Sequence, residues 1–171
     1  MKTEQKLQEG IKFLASQYPL DEITVILLCS HLNIKRQTFY YHYKDIYDLI
    51  DSIFMDESHK IVSNNQTRDD IINELVHYIE EEYKFLSIIS KSNANDILQA
   101  FFYDVIYYQI INEMSSYNIS NDKKGLIARF ITNSLSNELV YRIYNNNIFD
   151  KNLFESIFKF FYKNLEDNIK G

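Results

Sequence analysis

Apolar residues recur every three to four positions along most of the chain, which is the period of a helix packed on one face. Leu7, Ile11 and Leu14 form the first such stripe and predict a helix over about residues 3–17, closed before Pro19. In ITVILLCSHL, Thr24 can cap a second helix of about 25–31, with Ile23 and Leu28 placed as a hydrophobic staple. Asn33 is the residue of the following link best able to adopt a left-handed backbone, and a third helix is expected over about 35–42. Asp45, with Asp48 three residues on, predicts a cap for a fourth helix whose apolar face is Ile46, Leu49, Ile50, Ile53 and Phe54. That helix reaches about residue 63, where SNNQTR breaks the pattern. Beyond it, helices are expected at about 69–82, 84–91, 95–117, 121–145 and 150–169, between polar links.

Composition supports an all-α fold: three glycines and one proline in 171 residues are too few for a sheet protein joined by tight turns. The pattern divides the chain at SNNQTR into residues 1–63, with three short helices and the fourth, and residues 64–171. No apolar run approaches the roughly 20 residues that cross a bilayer, and the N-terminus lacks a secretory apolar segment, so the expected location is cytoplasmic, with no membrane partner. Cys29, the single cysteine, excludes a disulfide within one chain and reads as a buried structural thiol.

Charge changes the picture of the N-terminal part. Residues 1–48 hold six Lys/Arg and six Asp/Glu, so the whole formal charge of −6 belongs to the remainder. Ile23 to Lys44 contains no acidic residue, which marks a surface able to approach a polyanion. Within it lies RQTFYYHYKD, whose rings cannot all face one core if the segment is helical. Phe39 and Tyr43, four apart, are expected to pack against Leu28 and Leu32, turning Gln37, Tyr40, Tyr41 and His42 outward. Two short helices joined by a tight turn make a helix-turn-helix, whose second helix enters the DNA major groove. Hydroxyls, an imidazole and lysines suit phosphate oxygens; Arg36 or Gln37 suits base edges.

The run ITVILLCSHLNIKRQTFYYHYKDIYDLI resembles the N-terminal signature of tetracycline-repressor-type (TetR/AcrR) regulators: a Thr opening helix two, a turn, a recognition helix ending in Tyr-x-x-aromatic, then Lys and an acidic helix start. The resemblance is specific over about residues 8–54 and weak beyond. It implies a homodimer with a three-helix DNA-binding head and a helical C-terminal domain that commonly binds a small effector. By position it marks Thr24, Lys35, Arg36, Gln37, Thr38, Tyr40, Tyr41, His42 and Lys44 as DNA-facing. Asn33 stands where the family usually has Gly, and Ile46 where a second Lys often follows the recognition helix, leaving Lys44 as the phosphate anchor. The wording TFYYHYKDIYDL is similar to the subgroup of dihydroxyacetone-kinase regulators, some of which activate transcription through a protein partner.

The C-terminal part is less specific. Helix 95–117 is apolar nearly all round, as a central helix should be, and the resemblance places an effector pocket beside it, at Phe101, Phe102 and Tyr108; the same aromatics read equally well as core. Ile127, Ile131, Leu135, Leu139 and Ile143 form one stripe, and the terminal helix adds another too wide for one core-facing side. The expectation is a two-fold four-helix interface through Ile131, Leu135, Leu139, Ile157, Phe158 and Phe161. An effector is expected to act by tilting the fourth helix, the covalent route to the head.

The function expected is a sequence-specific DNA-binding regulator: a homodimeric repressor on a palindromic operator, released by a small effector. The alternatives are an activator working through a protein co-regulator and a helical interaction module without DNA binding. An enzyme is disfavoured: Glu74-x-x-His77 resembles half of a di-iron motif, which needs a second copy, and Asp56-x-x-His59 is a poor one. Neither metal nor cofactor is implied.

Overall fold

The computed structural model describes residues 2–64 and 67–147, together with Asn152, Ser156, Ile157, Phe160 and Lys163. Among the described residues there are α-helices and one 3₁₀ turn, and no strand. The helices are α1 (Thr3–Ala15), α2 (Val25–Leu32), α3 (Arg36–His42), α4 (Ile46–Asn64), α5 (Arg68–Ser90), α6 (Asn95–Met114) and α7 (Asn121–Tyr144), with the 3₁₀ turn at Leu20–Glu22.

The ends of these elements follow from local hydrogen bonding. Thr24 Oγ1 accepts the Leu27 N–H at 3.2 Å, closing one of the donors that a helix start leaves without a partner. At the other end of α2, Asn33 has φ 52° and ψ 47°. Its N–H reaches the Ser30 carbonyl at 3.2 Å, and the Ile34 N–H reaches that of Cys29 at 3.0 Å. This is a Schellman closure, and asparagine tolerates the left-handed backbone that it needs. The turn between α2 and α3 is thereby fixed in direction. Asp45 Oδ1 accepts the Asp48 N–H at 2.9 Å, while Asp48 Oδ2 accepts the Lys44 N–H at 2.8 Å, so α4 starts from a reciprocal cap. Thr24→Ala removes the α2 cap and is expected to lower the unfolding free energy by about 1 kcal/mol, read from denaturant melts.

Two segments differ from the sequence pattern. Residues 69–82 and 84–91 belong to one helix, α5, because Ile72, Leu75, Val76, Ile79, Phe85, Leu86 and Ile89 continue a single buried face through the acidic run. Helix α1 stops at Ala15, before the chain enters the 3₁₀ turn. The expected terminal helix 150–169 lies largely outside the described residues; the five described there are all helical.

Helix α6 packs against α4, α5 and α7 and is the centre of the C-terminal part. Its Phe101 stacks on Phe54 of α4 with ring centroids 5.1 Å apart and meets Tyr78 of α5 edge-on at 5.4 Å. One apolar core runs from Leu7 and Ile11 in α1 to Leu139 and Ile143 in α7. Helix α4 contributes to it along its whole length, from Ile46 to Ile61, so it is buried in the same core as the elements on either side. Ile46, which stands where the regulators that the sequence resembles often have Lys, is buried there and has no access to a surface anion.

Candidate nucleic-acid interface

Phe39 is the one fully buried residue of α3, and it sets the rotation of that helix. Its ring meets Tyr40 edge-on at 5.5 Å and Tyr43 at 5.9 Å. Tyr43 is half-buried as expected; burial pushes its phenol up, and a hydrogen bond with Ser52 opposes that rise. With Phe39 inward, Lys35, Arg36, Gln37, Tyr40, Tyr41 and Lys44 are exposed, and so is Thr24 at the start of α2. Tyr41 is the extreme case at 86% exposure. Thr38 is half-buried.

His42 is a correction. Its imidazole is turned towards α1, with Nδ1 3.2 Å from Glu4 Oε1 and a side chain only 19% exposed. The Tyr41 ring meets it edge-on at 5.1 Å. It is thus a strut between α1 and α3 and does not belong to the outward face. Sequence pattern gave no sign of this, because Glu4 lies far away along the chain.

The remaining face combines a guanidinium, two ammonium groups, a carboxamide and two phenols without an acidic side chain between Ile23 and Lys44. Such a surface can donate to phosphate oxygens at several points, and Gln37 or Arg36 can form paired hydrogen bonds with a base edge. Cys29 is buried behind it. Burial pushes its thiol up against the opposing influence of Arg36, so it is a packing residue and a poor nucleophile at neutral pH.

The three residues expected to line an effector pocket are not brought together in either of the two cavities lined by described residues. Phe101 and Phe102 are buried within the aromatic core, their rings 5.1 Å apart. Phe101 also borders a small cavity of about 100 Å³ between α4 and α6. Tyr108 is exposed and lines a larger open cavity of about 690 Å³, with Val62 and Ser63 of α4, Arg68 and Ile71 of α5, and Gln109, Asn112 and Glu113 of α6. Within it the Glu113 carboxylate lies 3.5 Å from Arg68 and accepts from Gln109 at 3.3 Å.

The described residues of the expected dimer stripe are not exposed. Ile131, Leu135 and Leu139 are buried in the chain's own core, because α6 covers that face of α7. The large apolar side chains left exposed on α7 are Leu126, Phe130, Tyr141 and Tyr144, which fall within about 60° of one another at 100° per residue. Ile157 is half-buried against the core, and Phe158 and Phe161 lie outside the described residues.

The residues of the enzyme alternative are at the surface, where His77, Glu74 and Asp56 make ordinary polar contacts. His77 Nε2 lies 3.3 Å from Glu81 and Glu74 is 3.9 Å from Lys60, while Asp56 accepts from Gln8 at 2.8 Å. Among the described residues no three His, Cys, Asp or Glu side chains gather as a metal site. None of the described helices is long and apolar enough to cross a membrane.

The architecture is all-α among the described residues, with an N-terminal helix-turn-helix formed by α2 and α3. A family model described as the C-terminal region of TetR-type transcriptional regulators matches residues 66–141. A solved structure titled dihydroxyacetone kinase operon activator DhaS superposes with a TM-score of 0.74 at 19% identity, covering 98% of this chain and 96% of that one. No curated protein matches in sequence. Residues 66–141 are thus similar to the C-terminal region of such regulators, and the fold of the chain as a whole is similar to that of the operon activator.

Proposed function

We propose that the protein is a homodimeric regulator that reads DNA with α3. The observation that carries this reading is the rotation of α3 set by Phe39, which leaves Arg36, Gln37, Tyr40 and Tyr41 exposed beside Lys35, Lys44 and Thr24. Residues 1–63 act as the DNA-binding unit and residues 64–171 as the unit for dimerisation and effector binding. The exposed pairs Leu126/Phe130 and Tyr141/Tyr144, on one side of α7, support pairing of that helix with a second copy, since exposed apolar side chains favour burial. The effector site that fits best is the 690 Å³ cavity, because Val62 and Ser63 bring the end of α4 into its wall. A repressor on a palindromic operator, released by a small molecule, is the first form of this reading. The likeness in fold to a protein titled an operon activator supports the second, activation through a protein co-regulator. In either form the protein works in the cytoplasm.

Selection of DNA fragments from the source genome by the purified full chain tests the reading. The expected result is enrichment of short sequences with two-fold symmetry, whose half-sites lie about 34 Å apart or at a multiple that suits the groove. Recovery of fragments without a shared sequence contradicts it and favours a helical module without specific DNA binding.

A further inference from the structure

Helix α4 joins the head covalently to the rest of the chain, and two polar contacts made by residues outside that helix also cross between them. The first joins α1 to α5: Lys12 Nζ lies 2.6 Å from Glu82 Oε1 and 5.5 Å above the centroid of the Phe85 ring. Both charged side chains are about 30% exposed, so the pair is partly shielded, and the ring gives the ammonium a second favourable face. The second contact starts at Asp21 in the 3₁₀ turn. Its carboxylate accepts the backbone N–H of Asn93, in the link between α5 and α6, at 3.1 Å and 3.4 Å through its two oxygens. The same carboxylate accepts the Tyr47 hydroxyl of α4 at 3.2 Å. Asp21 therefore ties head, connecting helix and C-terminal part at one point.

Two attachment points constrain a body differently from one. A single contact beside a connecting rod leaves rotation about that contact, whereas a second contact displaced from it removes that rotation. The apolar core between the two parts is weakly directional, but a carboxylate and its donors are not, so the polar pair selects one orientation among those that the core tolerates. We propose that Lys12–Glu82 and Asp21–Asn93 form a two-point latch that fixes the rotation of the head on the C-terminal part, and that the head turns only when both are released. Movement of α4 alone is then insufficient to reorient α3. The coupling of any effector to DNA passes through the C-terminal half of α5 and the link after it as well as through α4.

The latch is testable without DNA or effector. Nitroxide labels at Ser30→Cys in α2 and Lys84→Cys in α5 report the distance between head and body by pulsed electron resonance; labelled chains are diluted in unlabelled chain so that only within-chain pairs contribute. Lys12→Met and Asp21→Ala are each expected to widen the distance distribution slightly. The double variant is expected to widen it by more than the sum of the two, about two-fold over the parent, because only then is rotation free. A double variant with the parent's distribution overturns the proposal, as does one whose width is the sum of the singles. If a variant loses its cooperative melt, the exchange Lys12→Glu/Glu82→Lys decides in its place. Lys12→Glu alone should broaden the distribution and the exchanged pair should narrow it again; equal widths for the two overturn the latch.

Discussion

Phe54→Ala is expected to lower the unfolding free energy by about 3–5 kcal/mol, the range for removal of a fully buried aromatic ring. Phe54 is 2% exposed on α4, stacked on Phe101 at 5.1 Å and tilted against Phe85 at 6.2 Å. Truncation leaves a cavity where three helices meet, and helices with this many large side chains in contact cannot collapse to fill it. The loss has a second consequence. Because Phe54 seats α4 against both α5 and α6, the variant should lose regulation before it loses the fold of the head, whose own buried residues Leu7, Ile11, Leu28 and Phe39 are untouched. Denaturant unfolding followed by circular dichroism measures the stability change. A cost below about 1 kcal/mol would mean that α4 is not held by this ring cluster.

How much of this could be read from the residues depended on whether the cause was local. Thr24, Asn33 and Asp45 act on backbone groups within a few positions, so the cap, the left-handed turn and the start of α4 were apparent from residue type and spacing. The inward rotation of Phe39 followed from helical period. What could not be read is what depends on distant partners. His42 was expected to face outward, and its contact with Glu4 is visible only once α1 is folded against α3. Ile131, Leu135 and Leu139 have the period of an interface stripe, but the same period describes a face covered by α6, and the two are indistinguishable along one helix. Phe101 and Phe102 present the same ambiguity between pocket wall and core: both are buried, and Phe101 also borders a small cavity. The latch residues Lys12, Asp21, Glu82 and Asn93 carried no signal, since each sits in an unremarkable polar position about 70 residues from its partner.

The second large effect concerns the outward face of α3. Gln37 lies in its first turn, where side chains of a recognition helix reach base edges, and Lys44 lies just beyond its end, where an ammonium can meet the DNA backbone. Gln37→Ala should relax preference at one base pair per half-site, by roughly 1–3 kcal/mol for a bidentate contact, and leave the salt dependence of binding nearly unchanged. Lys44→Ala should weaken binding to all sequences alike. Tyr41→Phe deletes a hydroxyl from the most exposed ring and keeps its shape, so affinity should fall with no change in melting temperature.

The most direct test is the dependence of DNA affinity on salt concentration for the parent chain, Lys44→Ala and Gln37→Ala, measured on the operator and on a scrambled duplex. The account predicts that Lys44→Ala lowers the slope of log K against log salt by about one unit per lost phosphate contact in each subunit, on both duplexes. Gln37→Ala should keep the parental slope and lose discrimination between them. The opposite assignment, with Gln37→Ala changing the slope and Lys44→Ala changing sequence preference, would show that α3 presents a different face to DNA.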